Sequence, residues 1–258
     1  AAAYALISFQ TAWLKTYHPT EYMAAIMSTE LEDTDKLLLF MGDAKEHDIS
    51  FLPPDINVSE REFTVVEDGK IRYALGALKG VGTAAIESMV EARKSGPFKS
   101  LYDFCMRVDL RRVSKKVNEV LVKAGAFDCF ELPRKGMLEA IPRIVDLANK
   151  QQKDIEIGQS NLFGSMDVDA SLPSGVQIDT HDDNSKNEKL ALEKEVFGFY
   201  FSGHPLEVYQ GNLQKLTTHR IDELKKARSE EEVVLGGTLI SQRTILTKKG
   251  DKMSFGLL

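Results

Sequence analysis

Cysteine, tryptophan and long apolar runs are scarce in this 258-residue sequence, which has two cysteines and one tryptophan. Two thiols are too few for a disulfide framework or a tetrahedral zinc site, and we expect a reducing compartment. No stretch approaches the roughly 18 consecutive apolar residues that a membrane-spanning helix needs, so we expect no membrane partner. The five histidines show no ligand spacing. We therefore expect no metal in this chain.

Charge is unevenly distributed along the sequence. The net charge is -6, yet residues 70–123 contain twelve basic and five acidic side chains. An acidic protein that concentrates positive charge in one stretch is a candidate for binding a polyanion such as DNA. A solvated helical face is the alternative interpretation of the same stretch.

The spacing of apolar residues predicts a mainly α-helical chain. Helices are predicted over residues 4–27 with a break at Pro19, and over 34–46, 83–94, 100–107, 113–124, 134–150 and 188–201. An Asp-Gly turn predicts a β-hairpin over residues 63–73, and a second hairpin is predicted from residue 233 onward. Residues 53–55 form a Pro-Pro-Asp turn typical of a domain boundary, and the polar residues 164–187 predict a linker.

Two glycines, Gly80 and Gly82, precede the helix predicted from residue 83. Three interpretations are open. A dinucleotide fingerprint with Asp103 as the ribose ligand requires a strand where residues 101–108 have helical spacing. A plain turn between helices uses glycine only for its positive φ, which we expect at Gly82. A helix-hairpin-helix instead brings backbone N–H groups to a DNA phosphate.

Residues 113–128 repeat this pattern, with an apolar helix that ends at Gly125 and with Asp128 placed to cap the next helix. Basic residues surround both turns. The predicted DNA contacts are Lys79, Gly80, Val81, Gly82, Thr83, Arg111, Arg112, Lys115, Lys116, Lys123, Gly125 and Ala126.

Longer stretches resemble the alpha subunit of the bacterial replicative DNA polymerase III. They are YALISFQTAWLK at residues 4–15, LPPDIN at 52–57, YALGALKGVG at 73–82, GPFKSLYDF at 96–104, KAGAFD at 123–128 and GFYFSGHPL at 198–206. The resemblance covers essentially the whole chain. Its specificity comes from the occurrence of all these stretches in the same order, since no single one is decisive.

The resemblance implies a domain order. Residues 1–52 correspond to the end of the polymerase fingers, and 53–165 to a tandem helix-hairpin-helix domain that binds DNA and a clamp. A flexible linker at 166–187, a helical connector at 188–230 and the truncated start of an OB-fold at 231–258 follow. We accordingly expect an internal segment of a longer protein, since the first helix lacks a capping residue and the last residues lie within a strand pattern.

The resemblance also implies a function. The parent protein would perform template-directed DNA synthesis with Mg²⁺ in a catalytic palm outside this chain, in the bacterial cytoplasm. Its implied partners are duplex DNA, the sliding clamp, other holoenzyme subunits and, through the complete OB-fold, single-stranded template. No catalytic residue is expected here: Asp33 with Asp35, and Asp167 with Asp169, are paired carboxylates without a rigid setting. A non-enzymatic adaptor that binds DNA and the clamp is the alternative.

A short motif, Gln159 with Leu162 and Phe163, lies between two glycines at the start of the polar stretch. An apolar pair in an acidic segment has no core of its own to fill and can anchor in a partner's pocket. The resemblance identifies that partner as the ring-shaped sliding clamp.

Overall fold

The computed structural model describes residues 2–156, 178–180, 183–219, 224, 231–237, 239, 241–246 and 252–257. The chain forms two compact units, Ala1–Ser202 and Gly203–Leu258. The described residues are mainly helical with short strands, which confirms the predicted fold class. None of the described helices is long and apolar enough to cross a membrane.

The first unit begins with three helices, α1 (Ala2–Tyr17), α2 (Pro19–Thr29) and α3 (Thr34–Glu46). Pro19 opens α2 because the first turn of a helix needs no backbone donor at that position. The carboxylate of Asp33 caps α3 by accepting the N–H of Lys36 at 3.1 Å. Asp33 is thus used in helix capping, and both predicted helical regions are confirmed.

A small sheet follows, with strands β1 (Ser50–Leu52), β2 (Thr64–Glu67) and β3 (Lys70–Arg72). β3 lies in the centre, antiparallel to β2 and parallel to β1. The β2–β3 pair is the predicted hairpin. β1 was not predicted, because three residues are too few to show a strand periodicity.

Five further helices complete the unit: α4 (Thr83–Arg93), α5 (Leu101–Arg107), α6 (Lys115–Lys123), α7 (Arg134–Glu156) and α8 (Lys186–Phe197). One hydrophobic cluster runs through all of them and through α2, α3 and β3. At its centre the ring of Tyr73 packs edge-on against Phe63 at 5.0 Å and Phe197 at 4.9 Å. Residues on both sides of the predicted boundary at 52/53 therefore share a core, and the assignment of functional domains stays a prediction.

The second unit contains the short 3₁₀ helix Pro205–Tyr209, helix α9 (Gln210–Leu216) and strands β4 (Ser241–Leu246) and β5 (Lys252–Leu257). β4 and β5 pair antiparallel, which confirms the second predicted hairpin. Its assignment to an OB-fold stays a prediction. Most of the predicted linker at 164–187 lies outside the described residues.

Candidate nucleic-acid interface

The first glycine turn joins β3 to α4, and its two glycines have different conformations. Gly80 has φ +93° and packs closely: a Cβ there would lie 3.7 Å from Cγ2 of Val120. Gly82 has φ -79° and ψ 156°, which any residue can adopt. The expectation of a positive φ at Gly82 is therefore wrong, because the reversal of the chain occurs two residues earlier.

The start of α4 leaves backbone donors open to solvent. No side chain caps this helix. Gly82, Thr83 and Ala84 are exposed, and their N–H groups have no hydrogen-bond partner among the residues that the structure describes. A Cβ added at Gly82 would meet nothing within 4 Å. These three N–H groups, called the open amides below, can receive an anion that the helix dipole also favours.

The second glycine turn faces the interior. Gly125 has φ +80°, and both Gly125 and Ala126 are buried. Their N–H groups donate to the carbonyls of Val122 at 3.0 Å and Leu121 at 2.9 Å. Since these donors are already used, this turn offers no N–H group to a phosphate in the described structure.

Arg134 fills the space over the second turn. A Cβ at Gly125 would overlap its guanidinium, which is 8% exposed and pairs with Asp128 at 2.6 Å and Glu193 at 3.3 Å. Burial alone would lower the pKa of Arg134, but the hydrogen bond and charge of Asp128 raise it overall, so the side chain stays charged. Asp128 thus binds Arg134 and does not cap a helix as expected.

Part of the basic stretch is structural. Arg93, at the end of α4, donates to the carbonyls of Ile56 at 3.1 Å and Ser59 at 2.9 Å. Arg107 donates to the carbonyls of Ala92 and Gly96, both at 2.6 Å. Because these guanidinium groups satisfy backbone carbonyls within the fold, their charge is not free to bind a ligand.

Lys79 and Lys123 lie apart from the open amides. The Lys79 side chain packs over Gly198 and lines a pocket of about 730 Å³ with Arg61 and with residues 30–35, four of which are acidic. Lys123, at the last turn of α6, pairs with Glu195 of α8 at 2.8 Å. Lys123 is therefore paired within the fold, whereas Lys79 is an exposed side chain at the rim of a pocket that also contains acidic residues.

The four remaining predicted cations are together at the start of α6. Arg111 and Arg112 lie in the loop before it, and Lys115 and Lys116 in its first turn. All four side chains are exposed, Arg111 by 84%. We call these four residues the basic edge.

The basic edge lies next to α4. The N–H of Asp109, just before the edge, donates to the hydroxyl of Ser88 on α4 at 2.9 Å. Gly80, just before α4, packs against Val120 of α6. These two contacts hold α4 next to α6: the start of α4, with the open amides, lies near Val120 towards the end of α6, and Ser88 in the middle of α4 lies beside Asp109 and the basic edge.

The structure bears on only some of the other predicted sites. α4 is followed by helix α5, where Asp103 accepts the Lys99 N–H at 3.0 Å, so the strand that a dinucleotide fingerprint requires is missing from residues 2–156. No group of His, Cys, Asp or Glu in the described part of the chain could hold a metal ion. Asp167, Asp169 and the motif residues Gln159, Leu162 and Phe163 lie outside the described residues.

Comparison with known proteins first defines the class. Residues 48–137 match the family model described as a helix-hairpin-helix motif, a range that contains the open amides, the basic edge and the second glycine turn. The chain thus contains a helix-hairpin-helix region.

Similar proteins then show which family the segment is related to. Over 99% of its length the chain is 46% identical to the DNA polymerase III subunit alpha of Neisseria meningitidis serogroup B. It is 38% identical over 98% of its length to that of Vibrio cholerae and 36% identical over 99% to that of Pseudomonas fluorescens. It spans 22 to 23% of the length of these proteins. The chain is therefore homologous to a segment of the DNA polymerase III alpha subunit, and the resemblance found in the motifs is confirmed.

Proposed function

We propose that this chain holds duplex DNA for a replicative polymerase, through contacts to phosphates that do not depend on base sequence. The observation that carries the proposal is the set of open amides at the start of α4, together with the four exposed cations of the basic edge, which lies next to the middle of the same helix. Backbone N–H groups and long basic side chains at a helix start bind phosphate oxygens and read no bases.

The proposed contacts are fewer than those predicted from sequence. They are the open amides of Gly82, Thr83 and Ala84, with the basic edge. Gly80 and Val81 shape the turn, since Gly80 reverses the chain and Val81 is buried. Lys123, Gly125 and Ala126 are left out because their donors are engaged within the fold. Lys79 is left out because it lines a pocket with acidic residues.

A double variant tests this proposal. We expect Arg111→Ala with Lys116→Ala to weaken duplex binding by roughly tenfold or more at moderate salt, because two phosphate contacts are lost. Fluorescence anisotropy with two duplexes of unrelated sequence measures the effect, and both should respond equally. The matched control is Lys70→Ala with Lys94→Ala, which removes two cations paired elsewhere with Glu67 and Glu91. Equal affinities of the two double variants would contradict the proposed interface.

For the parent protein we propose template-directed DNA synthesis, with Mg²⁺ in a catalytic palm outside this chain and with other holoenzyme subunits as partners. The names of the relatives support a polymerase over a non-enzymatic adaptor. A single-stranded template bound by a complete OB-fold, and a place in the bacterial cytoplasm, belong to the same proposal. The chain alone should incorporate no nucleotide above a protein-free control.

We further propose that Gln159, Leu162 and Phe163 dock on the sliding clamp. The sequence supports this proposal, because an adjacent Leu-Phe pair lies between Gly158 and Gly164 at the start of a polar, acid-rich stretch. Burying these two side chains in a pocket is worth roughly 1.5–3 kcal/mol each. Leu162→Ala with Phe163→Ala should therefore weaken clamp binding by at least about two orders of magnitude and leave duplex binding unchanged. Unchanged clamp affinity, or an equal loss in both titrations, would contradict this role.

A further inference from the structure

Carboxylates of the same chain already hold three of the four cations in the basic edge. Asp109 lies 3.0 Å from Nε of Arg111 and 3.6 Å from Nε of Arg112. Asp146, on α7, lies 2.8 Å from Nζ of Lys115. A DNA phosphate that reaches these cations therefore has to displace a carboxylate or share the cation with it.

Asp109 is fixed in place by the backbone around it. Its N–H donates to the Ser88 hydroxyl, and its carbonyl accepts the N–H groups of Arg112 and Val113, both at 2.9 Å. Its carboxylate also accepts the backbone N–H of Arg111 at 3.0 Å. Hydrogen bonds from the side chain and the backbone of Arg111 lower the pKa of Asp109, so the carboxylate is charged at neutral pH.

Asp146 is held less firmly. Its side chain is 69% exposed, against 31% for Asp109, and it lies on the surface of α7. A solvated carboxylate on a helix can change rotamer when a phosphate approaches, whereas a carboxylate bonded to its own loop cannot move away without breaking that loop. The two carboxylates should therefore affect DNA binding to different degrees.

We propose that Asp109 competes with DNA phosphate for Arg111 and Arg112, and so limits the affinity and the salt dependence of duplex binding. This inference rests on the proposed function. In the free protein the single Asp109 carboxylate offsets one of the two guanidinium charges, so binding exchanges one anion for another and releases fewer counterions from the DNA than four unpaired cations would. The Asp109 carboxylate also repels a phosphate held beside it.

This competition suits a protein that moves along duplex DNA. Phosphate contacts that read no sequence allow sliding, and each contact must break before the next can form. A fixed carboxylate to which the guanidinium groups return when a phosphate leaves lowers the cost of that release. Asp109 therefore favours exchange between neighbouring phosphates over tight binding at one position.

The test compares three isosteric variants in the same duplex titration. Asp109→Asn keeps the side-chain oxygen that accepts the Arg111 N–H and removes only the charge. We expect the Asp109→Asn variant to bind duplex DNA about fivefold more tightly at physiological salt. Its slope of log K against log salt should be more negative by about one unit. Asp146→Asn should give a smaller gain. Glu67→Gln is the control, because it changes the net charge equally in the β2–β3 hairpin, where Glu67 pairs with Lys70.

The outcomes are distinct. The inference is overturned if the Asp109→Asn variant binds duplex DNA only as tightly as the Glu67→Gln variant does. It is also overturned if Asp109→Asn binds more weakly than the parent. If Asp109→Asn unfolds at a lower temperature than the parent, Asp109→Ser replaces it, since the hydroxyl can accept the same backbone bond. The proposed function fails separately, if the Arg111→Ala, Lys116→Ala variant binds as tightly as its control. If the Arg111→Ala, Lys116→Ala variant binds duplex DNA more weakly but Asp109→Asn does not bind it more tightly, the inference is overturned and the proposed function stands.

Discussion

Gly80 and Gly82 are two residues apart and serve different purposes. Gly80 has a positive φ and lies against Val120, so the fold itself requires a glycine there. Gly82 has a conformation open to any residue and empty space where its side chain would be. Since the fold does not require glycine at position 82, its absent side chain matters only for what approaches from outside.

Gly82→Val should therefore separate folding from binding. We expect thermal unfolding close to that of the parent, because the substitution meets neither a positive φ nor a neighbouring atom. Duplex affinity should fall roughly tenfold, because the branched side chain blocks the approach of a phosphate to the open amides. The control is Gly42→Val, which also enters open space but on the exposed side of α3. Parent-like affinity in a folded Gly82→Val variant would mean that the open amides do not contact DNA.

Residue types alone did not distinguish the two glycine turns. Both have a Gly-containing loop, flanking cations and an apolar helix, and the pattern predicted phosphate contacts at both. At the second turn the N–H groups of Gly125 and Ala126 donate to the carbonyls of Val122 and Leu121, and Arg134, which pairs with Glu193, covers the turn. Whether a turn's N–H groups face solvent depends on such hydrogen bonds and tertiary neighbours, which residue types alone do not reveal.

Among the elements, α8 connects the parts of the helix-hairpin-helix region. The carbonyl of Val196 accepts the N–H of Lys79 at 3.0 Å, beside the first turn. Glu193, one helical turn earlier, is 3% exposed and reaches Arg134 over the second turn. It also accepts the N–H of Ser202 at 2.9 Å. α8 therefore fixes both turns relative to one another from the side of the core.

Glu193→Ala should be strongly destabilising, because Arg134 would lose a buried partner and keep its charge. Breaking a buried pair in this way costs about 3–5 kcal/mol. Urea unfolding measures the change in the free energy of unfolding. Glu195→Ala is the control, since its pair with Lys123 is at the surface and is worth at most about 1 kcal/mol. Similar losses in the two variants would show that the Arg134 network does not hold α8 in place.

Elements with clear apolar periodicity were predicted well, and the exceptions depend on tertiary contacts. α7 continues to residue 156, beyond the predicted end at 150. In this extension the side-chain amide of Gln152 donates to the carbonyls of Cys105, Met106 and Val108 at 2.9 to 3.1 Å. These bonds anchor a polar helical turn that has no apolar stripe to indicate it.

At the scale of the whole molecule, the charge pattern overstated the surface available to DNA. The stretch from 70 to 123 has twelve basic residues. Arg93 and Arg107 satisfy backbone carbonyls, and Lys70, Lys94 and Lys123 pair with glutamates. The rest of the molecule is acidic and repels a polyanion. Binding is therefore expected to centre on the open amides and the basic edge.

The salt dependence of duplex binding measures how many cations take part. Each phosphate neutralised by a cation contributes about -0.9 to the slope of log K against log salt, whereas a backbone N–H group carries no net charge and displaces no cation. The four cations of the basic edge, three of them paired with carboxylates, should give a slope of about -1 to -4, equal for duplexes of unrelated sequence. Anisotropy titrations between about 50 and 300 mM salt cover the range in which such a slope is measurable. A slope of about -7 or steeper would require the structural arginines and the glutamate-paired lysines to bind phosphate as well, and would contradict the division of the basic stretch made by the fold.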